Sequence, residues 1–139
     1  MIMIDTSGLL AALFSDQNRH EECARALREA TPPLIVSPFV LAELDYLITK
    51  FAGVDAAIAL LEEIERGAYE LAVVDEFTIL HSREVIERYR DLNVGLTDAS
   101  IVVLADRYSA YTVLTLDERH FRAFRPSPRR RFRILPADG

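Results

Sequence analysis

Short apolar runs alternate with longer segments of helical periodicity along this chain, and this alternation is the strongest constraint on its fold. The runs lie at residues 1–4, 34–36, 70–74, 112–116 and 132–135. Strands that alternate with helices predict a parallel sheet whose two faces are both covered by helices. We therefore expect an α/β fold in three layers, built on a parallel sheet of about five strands.

Capping residues indicate where several of the helices begin. Ser37 is followed by Pro38, which is the pattern of an N-cap with proline at the first helical position. The segment 98–108 is apolar around nearly its whole circumference, so we expect a helix there that is packed on several sides, entered through a turn at 95–97. Aspartates are predicted at the N-caps of three further helices: Asp16, Asp55 and Asp75.

The charge of the chain is divided unevenly. The 139 residues, which is the size of one domain, carry 22 acidic and 16 basic groups, a net charge of −6. Residues 119–139 hold seven arginines and one acid, Asp138. An acidic body is a poor non-specific partner for nucleic acid, whereas the Arg-rich C-terminal segment 119–139 is either a solvated end of the domain or a surface that follows a phosphate backbone.

Nothing in the sequence indicates a membrane segment. No apolar run approaches the ~18 residues that a membrane-spanning helix needs. The opening MIMIDTSGLL has no basic residues and meets an acid at Asp5, unlike a secretory signal. We expect a cytoplasmic protein without membrane contact.

Four acidic residues fall where the predicted strands end or the helices begin. Asp5 directly follows the first strand and Asp117 follows the fourth. Glu43 lies early in the helix after the second strand, and Asp98 opens the apolar helix. Sites in open α/β sheets form beyond the carboxyl ends of the strands, so we expect these four carboxylates to converge there.

Convergent carboxylates predict a cation. Acids within about 4–6 Å raise one another's pKa and resist joint ionisation, and Mg²⁺ or Mn²⁺, which prefer oxygen ligands, relieve that repulsion. The three histidines are scattered along the chain and do not flank the acids at metal-ligand spacing, which disfavours zinc: they are His20, His81 and His120. On the helix after the second strand, Glu43 and Asp45 lie on opposite borders of the apolar stripe, and the more N-terminal position favours Glu43.

Four blocks of sequence, IDTSGLLA, SPFVLAELDYL, GLTDASIVVLA and TLDERHF, resemble those of PIN-domain ribonucleases, and in particular the VapC-type toxins of bacterial VapBC toxin–antitoxin systems. The resemblance covers nearly the whole chain, with the blocks in order. It implies a PIN-like sandwich with a five-stranded parallel sheet and an endoribonuclease site that depends on Mg²⁺ or Mn²⁺. It also implies that Asp5, Glu43, Asp98 and Asp117 are the four catalytic, metal-binding acids.

The same resemblance implies supporting residues and partners. Ser7 and Thr115 match hydroxyls that support the acids, and Thr6 and Thr97 stand beside two of them. Arginines after Asp117 would place the RNA: Arg119, Arg122 and Arg125. The expected partners are a VapB-type antitoxin, whose Arg-bearing segment covers the acidic pocket, an RNA substrate, and a second toxin subunit in a homodimer or larger assembly. The wording of two blocks is similar to toxins that cut the sarcin–ricin loop of ribosomal RNA, and tRNA is the other structured target.

Two alternatives stay open on the sequence alone. A phosphoacceptor receiver domain has similar size and layering, but it needs paired acids after the first strand and a lysine after the fifth, whereas Asp5 stands alone and the only lysine, Lys50, lies inside a helix. A PIN fold without catalysis, used as an interaction module, is the second alternative. The presence of all four acids favours the enzyme.

Overall fold

The computed structural model describes all residues, 1–139, and contains one five-stranded sheet. Its strands are short: β1 Ile2–Ile4, β2 Leu34–Val36, β3 Glu70–Leu71, β4 Thr112–Leu114 and β5 Arg133–Leu135. All neighbouring strands pair in parallel, in the order β3-β2-β1-β4-β5. The predicted α/β class and the parallel sheet are therefore confirmed.

Seven α-helices connect the strands. They are α1 Thr6–Leu13, α2 His20–Glu29, α3 Pro38–Ala52, α4 Val54–Glu65, α5 Glu76–Arg88, α6 Leu96–Tyr108 and α7 Glu118–Ala123, with a 3-10 turn at Arg90–Leu92. None of them is long and apolar enough to cross a membrane. The connections from β1 to β2 to β3 run one way along the sheet and the connection from β3 to β4 runs back. Because parallel crossovers are right-handed, this reversal places helices on both faces.

The core forms because the central strands and the helix faces that cover them are apolar. Every residue of β1 is buried, as expected for a central parallel strand. In α3, Val40, Leu44 and Ile48 recur at a spacing of four residues and are buried. Helix α6 buries residues around most of its circumference, which confirms the expectation that it packs on several sides.

Three predicted helix starts were wrong. Helix α2 begins at His20 after Arg19 in the left-handed conformation, so Asp16 does not cap it. Helix α4 follows directly on α3 through Gly53, which serves as its N-cap in place of Asp55. Helix α6 starts at Leu96 from Gly95, so Thr97, at the end of the predicted turn 95–97, lies inside the first turn of the helix. Before α2 and α4, the positive φ of Arg19 and Gly53 allows the chain to turn without a side-chain cap. The predicted caps Ser37 and Asp75 are confirmed.

Two further differences concern element length. The predicted strand 70–74 stops at Leu71, because β3 is an edge strand and the chain then leaves the sheet, with Val73 73% exposed. Helix α7 was not predicted at all. It is a short helix directly after Asp117, and it determines how the functional site is built.

Candidate metal centre

The direction of the sheet connections changes between β1 and β4, which are hydrogen-bonded neighbours. The connection after β1 leads to one edge of the sheet and the connection after β4 leads to the other edge. A crevice forms beyond the carboxyl ends of two such strands, and ligands bind there in open α/β folds. Asp5 follows β1, and Thr115 and Asp117 follow β4, so this crevice contains residues that the sequence analysis selected.

Asp5 is held by two hydroxyl groups. The Thr115 hydroxyl donates to Asp5 Oδ2 at 2.7 Å and the Ser7 hydroxyl donates to the same oxygen at 3.2 Å. The backbone N–H of Leu116 donates to Ser7 Oγ at 3.0 Å, and that of Asp117 donates to Thr115 Oγ1 at 2.9 Å. An ionised carboxylate can only accept, so the hydroxyl protons of Ser7 and Thr115 are directed at Asp5. Neither hydroxyl holds the second carboxylate oxygen, Oδ1.

Asp5 occupies the N-cap position of α1, but its side chain makes no capping hydrogen bond. It is only 6% exposed, and burial raises the pKa of this carboxyl. Hydrogen bonds from Thr115, the Thr6 backbone and Ser7 oppose the rise, while the charge of Glu43 adds to it. A capping role alone therefore does not account for Asp5.

Asp98 lies in the first turn of α6, and the charges of the other acids affect its pKa. Burial first, and then the negative charges of Asp5, Asp117 and Glu43, raise the pKa of Asp98 to about 7, against the lowering effect of His120. Glu43 is exposed on α3, yet its charge acts on both Asp5 and Asp98. Asp5 and Glu43 therefore influence Asp98 through their charge, but neither belongs to the group of ligand atoms within 4.8 Å that contains Asp98 and Asp117.

Asp117 has a structural partner as well as a place in the crevice. Its Oδ1 accepts the backbone N–H of His120 at 3.1 Å and so caps α7. Its Oδ2 lies 2.7 Å from His120 Nδ1. The same ring nitrogen lies 3.8 Å from Asp98 Oδ2. One donor atom from each of Asp98, Asp117 and His120 lies within 4.8 Å of the other two, a spacing at which the three could share one cation.

The expectation that no histidine flanks the acids was wrong for His120. That expectation came from treating 117–123 as irregular chain, in which a residue three positions after Asp117 has no fixed direction. In helix α7, positions three apart lie on the same face, so His120 is brought back to Asp117. The signal in the sequence was Asp117 as an N-cap with Glu118 in the first turn, followed by a histidine at the third helical position.

The remaining predicted supporting residues lie in different settings. The Thr6 hydroxyl is buried without a hydrogen-bond partner. The Thr97 backbone carbonyl accepts from the buried Ser100 hydroxyl at 2.7 Å, which ties the first turn of α6 together. Among the three arginines, Arg122 is paired with Asp138 and Glu118, and Arg125 donates to carbonyls at the end of α7. Arg119 makes no ion pair or side-chain hydrogen bond.

A well-formed groove lies away from this crevice. It has a volume of about 510 Å³ and lies at the opposite, amino ends of the strands, where Met1, Thr112 and Arg133 contribute to its wall. Acidic and basic residues both line it, and it holds no cluster of potential metal ligands. The candidate metal ligands therefore lie at the carboxyl ends of the strands, away from this groove.

Comparison with known proteins agrees with the fold. The sequence model of the PIN domain family matches residues 2–125. The chain belongs to the PIN-domain family. It is 43% identical over 135 residues to Ribonuclease VapC26 of Mycobacterium tuberculosis (strain ATCC 25618 / H37Rv), an alignment that covers 97% of this chain and 100% of that protein. This PIN-domain chain is thus a homologue of a VapC ribonuclease.

Solved structures share the fold at low sequence identity. Mycobacterium tuberculosis VapC20, described as a sarcin–ricin loop cleaving toxin, superposes with a TM-score of 0.79 at 20% identity, covering 86% of this chain and 92% of that one. A toxin–antitoxin complex from Klebsiella pneumoniae gives a TM-score of 0.68 at 18% identity, covering 91% and 98%. FitAcB from Neisseria gonorrhoeae gives 0.60 at 21% identity, covering 85% and 88%. These similarities confirm the PIN-like architecture.

Proposed function

We propose that this PIN-domain chain is the toxin of a type II toxin–antitoxin system and hydrolyses RNA phosphodiester bonds with the help of Mg²⁺ or Mn²⁺. The observation that carries the proposal is that Asp5 and Asp117 follow the neighbouring strands β1 and β4, and that Asp98 has a ligand atom within 4.8 Å of one on Asp117. Burial and the negative charges of Asp5, Asp117 and Glu43 together raise the pKa of Asp98 to about 7, which a bound cation would oppose. The 43% identity to a VapC ribonuclease supports the same activity.

The donor set fits a hard divalent cation. Carboxylate oxygens are the ligands that Mg²⁺ and Mn²⁺ prefer, and we propose Asp5 and Asp98 as the principal ligands with Glu43 and Asp117 completing the site. When bound, such an ion polarises the phosphate and favours an attacking hydroxide. Ser7 and Thr115 hold Asp5 through one oxygen and so orient the other, as residues behind metal ligands do.

Among the three arginines, we propose Arg119 as the first candidate for RNA contact, ahead of Arg122 and Arg125. Arg119 follows the crevice by two residues and has no acidic partner, whereas Arg122 is held by Asp138 at 2.6 Å. A guanidinium that is already paired with a carboxylate has to give up that partner before it binds a phosphate. Structured RNA, such as the sarcin–ricin loop that VapC20 is described as cleaving, or tRNA, is the proposed substrate class.

An antitoxin is the proposed protein partner, and the structure offers an apolar surface for one. The ends of α1 and α3 meet through an edge-to-face contact between Phe14 and Phe51. Several large apolar side chains of α1, α3 and α4 are exposed: Leu13, Tyr46, Phe51, Val54 and Ile58. The complex from Klebsiella pneumoniae shares this fold. We also propose that residues 1–139 form one domain, because β5 adds to the sheet beyond residue 125, where the family match ends. We further propose that the toxin dimerises and that it acts in the cytoplasm.

RNA 5′-end sequencing tests the activity. RNA from cells that express the wild type is compared with RNA from cells that express Asp5→Asn, which keeps the size of the side chain. We expect new 5′ ends at defined positions with the wild type and none with the variant. Purified wild type should cut the same RNA only when Mg²⁺ or Mn²⁺ is present. An Asp5→Asn protein that cuts at the wild-type rate would refute the assignment.

Two acids on α3 provide a matched control. Glu43 and Asp45 are both exposed, but only Glu43 acts by its charge on Asp5 and Asp98. Glu43→Gln should lower the rate of RNA cleavage at least ten-fold, whereas Asp45→Asn should leave it within two-fold, as about 1.4 kcal/mol of lost transition-state stabilisation corresponds to a factor of ten. Equal effects of the two substitutions would remove Glu43 from the proposed site.

A further inference from the structure

The two ring nitrogens of His120 face different chemical groups. Nε2 lies 3.1 Å from the backbone carbonyl oxygen of Leu92, which lies outside the acidic crevice. A carbonyl oxygen can only accept, so Nε2 carries a hydrogen and donates it. In the neutral ring the other nitrogen, Nδ1, then carries a lone pair.

That lone pair is directed at two carboxylates. Nδ1 lies 2.7 Å from Asp117 Oδ2 and 3.8 Å from Asp98 Oδ2. Ionised carboxylates and the lone pair of a neutral imidazole all accept and none of them donates. These three atoms are favourable together with a proton on Nδ1 that is donated to Asp117, or with a metal cation among them.

The ring is also fixed in orientation before any ligand arrives. The ring stacks on Phe124 with an interplanar angle of 21°, and the backbone N–H of His120 donates to Asp117 Oδ1. Histidines that ligate metals almost always donate their second ring N–H to a carbonyl or carboxylate, which fixes the tautomer and the ring plane. The Leu92 carbonyl has that relationship to His120.

We propose that His120 Nδ1 is a nitrogen ligand of the divalent cation, shared with Asp98 and Asp117. The inference rests on the proposed function, because it concerns the same cation. A nitrogen ligand also gives the site a preference between metal ions that a site made only of carboxylates lacks. Imidazole suits transition metals, whereas Mg²⁺ keeps to oxygen, so this site binds Mn²⁺ in preference to Mg²⁺.

Pulsed electron paramagnetic resonance of the Mn²⁺-loaded protein tests the ligand directly. We expect a ¹⁴N coupling from a directly bound imidazole in the wild type, changed to the ¹⁵N pattern when histidine is supplied as ¹⁵N-histidine. His120→Ala should lose the coupling. The control is His81→Ala, which removes an exposed histidine that lies 3.7 Å from Glu84, an imidazole–carboxylate pair remote from the crevice.

Calorimetric titration provides the second measurement. His120→Ala should weaken Mn²⁺ binding about ten-fold or more and change Mg²⁺ binding much less, so that the preference for Mn²⁺ falls. His81→Ala should leave both affinities unchanged. A thermal melt of each variant without metal confirms that it is folded.

Two results would overturn the inference. One is a wild type with bound Mn²⁺ and no nitrogen coupling. The other is a folded His120→Ala protein that binds Mn²⁺ as tightly as the wild type or more tightly, since the ring would then act only as a positive counter-charge to Asp117. Either result with metal-dependent RNA cleavage intact would leave the proposed function standing. Loss of the proposed function would instead show as an Asp5→Asn protein that cleaves RNA normally.

Discussion

Thr115 is the residue whose side chain connects the two halves of the crevice. It donates to Asp5 Oδ2 at 2.7 Å and accepts from the backbone N–H of Asp117. Thr115 therefore holds the side chain of Asp5 and the backbone of Asp117, which are two of the proposed ligands. The hydroxyl itself lies behind the carboxylate, so its effect on the cation is through the orientation and the charge of Asp5.

Thr115→Val should therefore weaken cation binding without unfolding the protein. The substitution keeps the shape of the side chain and leaves a buried carboxylate oxygen and a backbone N–H with one partner fewer. We expect Mg²⁺ or Mn²⁺ affinity to fall about ten-fold to a hundred-fold and the free energy of unfolding to fall by about 1–3 kcal/mol. Calorimetric titration and urea denaturation measure the two effects. Thr112→Val, at the start of β4, is the control; equal cation affinities for the two variants would contradict this role.

Asp98 should make the stability of the metal-free protein depend on pH. Its pKa is raised from 3.8 to about 7 in the folded state, so the folded protein holds this proton more tightly than the unfolded chain does. The stabilisation is complete below pH 3.8 and is lost as pH rises towards 7. With a chelator present, the wild type should lose stability over this interval relative to Asp98→Asn. Urea denaturation at several pH values measures the difference, and parallel curves for the two proteins would be the contrary outcome.

Among the elements, α1 and β4 approach each other closely near the site. Gly8, in the first turn of α1, lies so close to the Leu114 backbone carbonyl that a Cβ atom there would overlap it. The same stretch of β4 leads into Thr115. The absence of a side chain at Gly8 thus permits the approach that brings Ser7 within 3.2 Å of Thr115.

Gly8→Ala should be destabilising by about 1–3 kcal/mol, because the added methyl group forces a backbone shift in a packed core. Gly95→Ala offers the comparison, since a Cβ atom at Gly95 meets nothing within 4 Å and the position has a negative φ. We expect Gly95→Ala to change the free energy of unfolding by less than about 1 kcal/mol. Thermal melts of both variants measure this, and a Gly8→Ala protein as stable as the wild type would show that α1 and β4 are not in tight contact.

The elements also show what could be read from the sequence. Strands β1, β2 and β4 were predictable because a buried parallel strand is a continuous apolar run, and α3 because Ser37-Pro38 starts it. Helix α7 was not predictable from periodicity, since it spans six residues, Glu118–Ala123, with one buried member, Phe121. Its absence from the prediction is the reason that His120 was missed. The starts of α2 and α4 depend on Arg19 and Gly53 in left-handed or open conformations, which side-chain capping rules do not indicate.

For the molecule as a whole, the sheet topology explains why acids distant in sequence lie near one another. Asp5 and Asp117 directly follow β1 and β4, which are neighbouring strands, and Asp98 in the first turn of α6 has a ligand atom within 4.8 Å of one on Asp117. The positions of Asp5 and Asp117 could be predicted because each follows an apolar run that forms a strand. The pairing of Arg122 with Asp138 was not predictable, because it depends on how the chain after β5 folds back towards α7. The Arg-rich segment consequently presents fewer free cations near the crevice than its composition suggests.

The most direct test of the central claim, that these carboxylates share a divalent cation, is anomalous X-ray diffraction from crystals soaked in Mn²⁺. We predict an anomalous peak beyond the carboxyl ends of β1 and β4, within ligand distance of oxygens from Asp5 and Asp98. The peak should be absent from crystals of Asp5→Asn soaked in the same way. Wild-type crystals that show no peak at this crevice, or show manganese only elsewhere on the surface, would contradict the account.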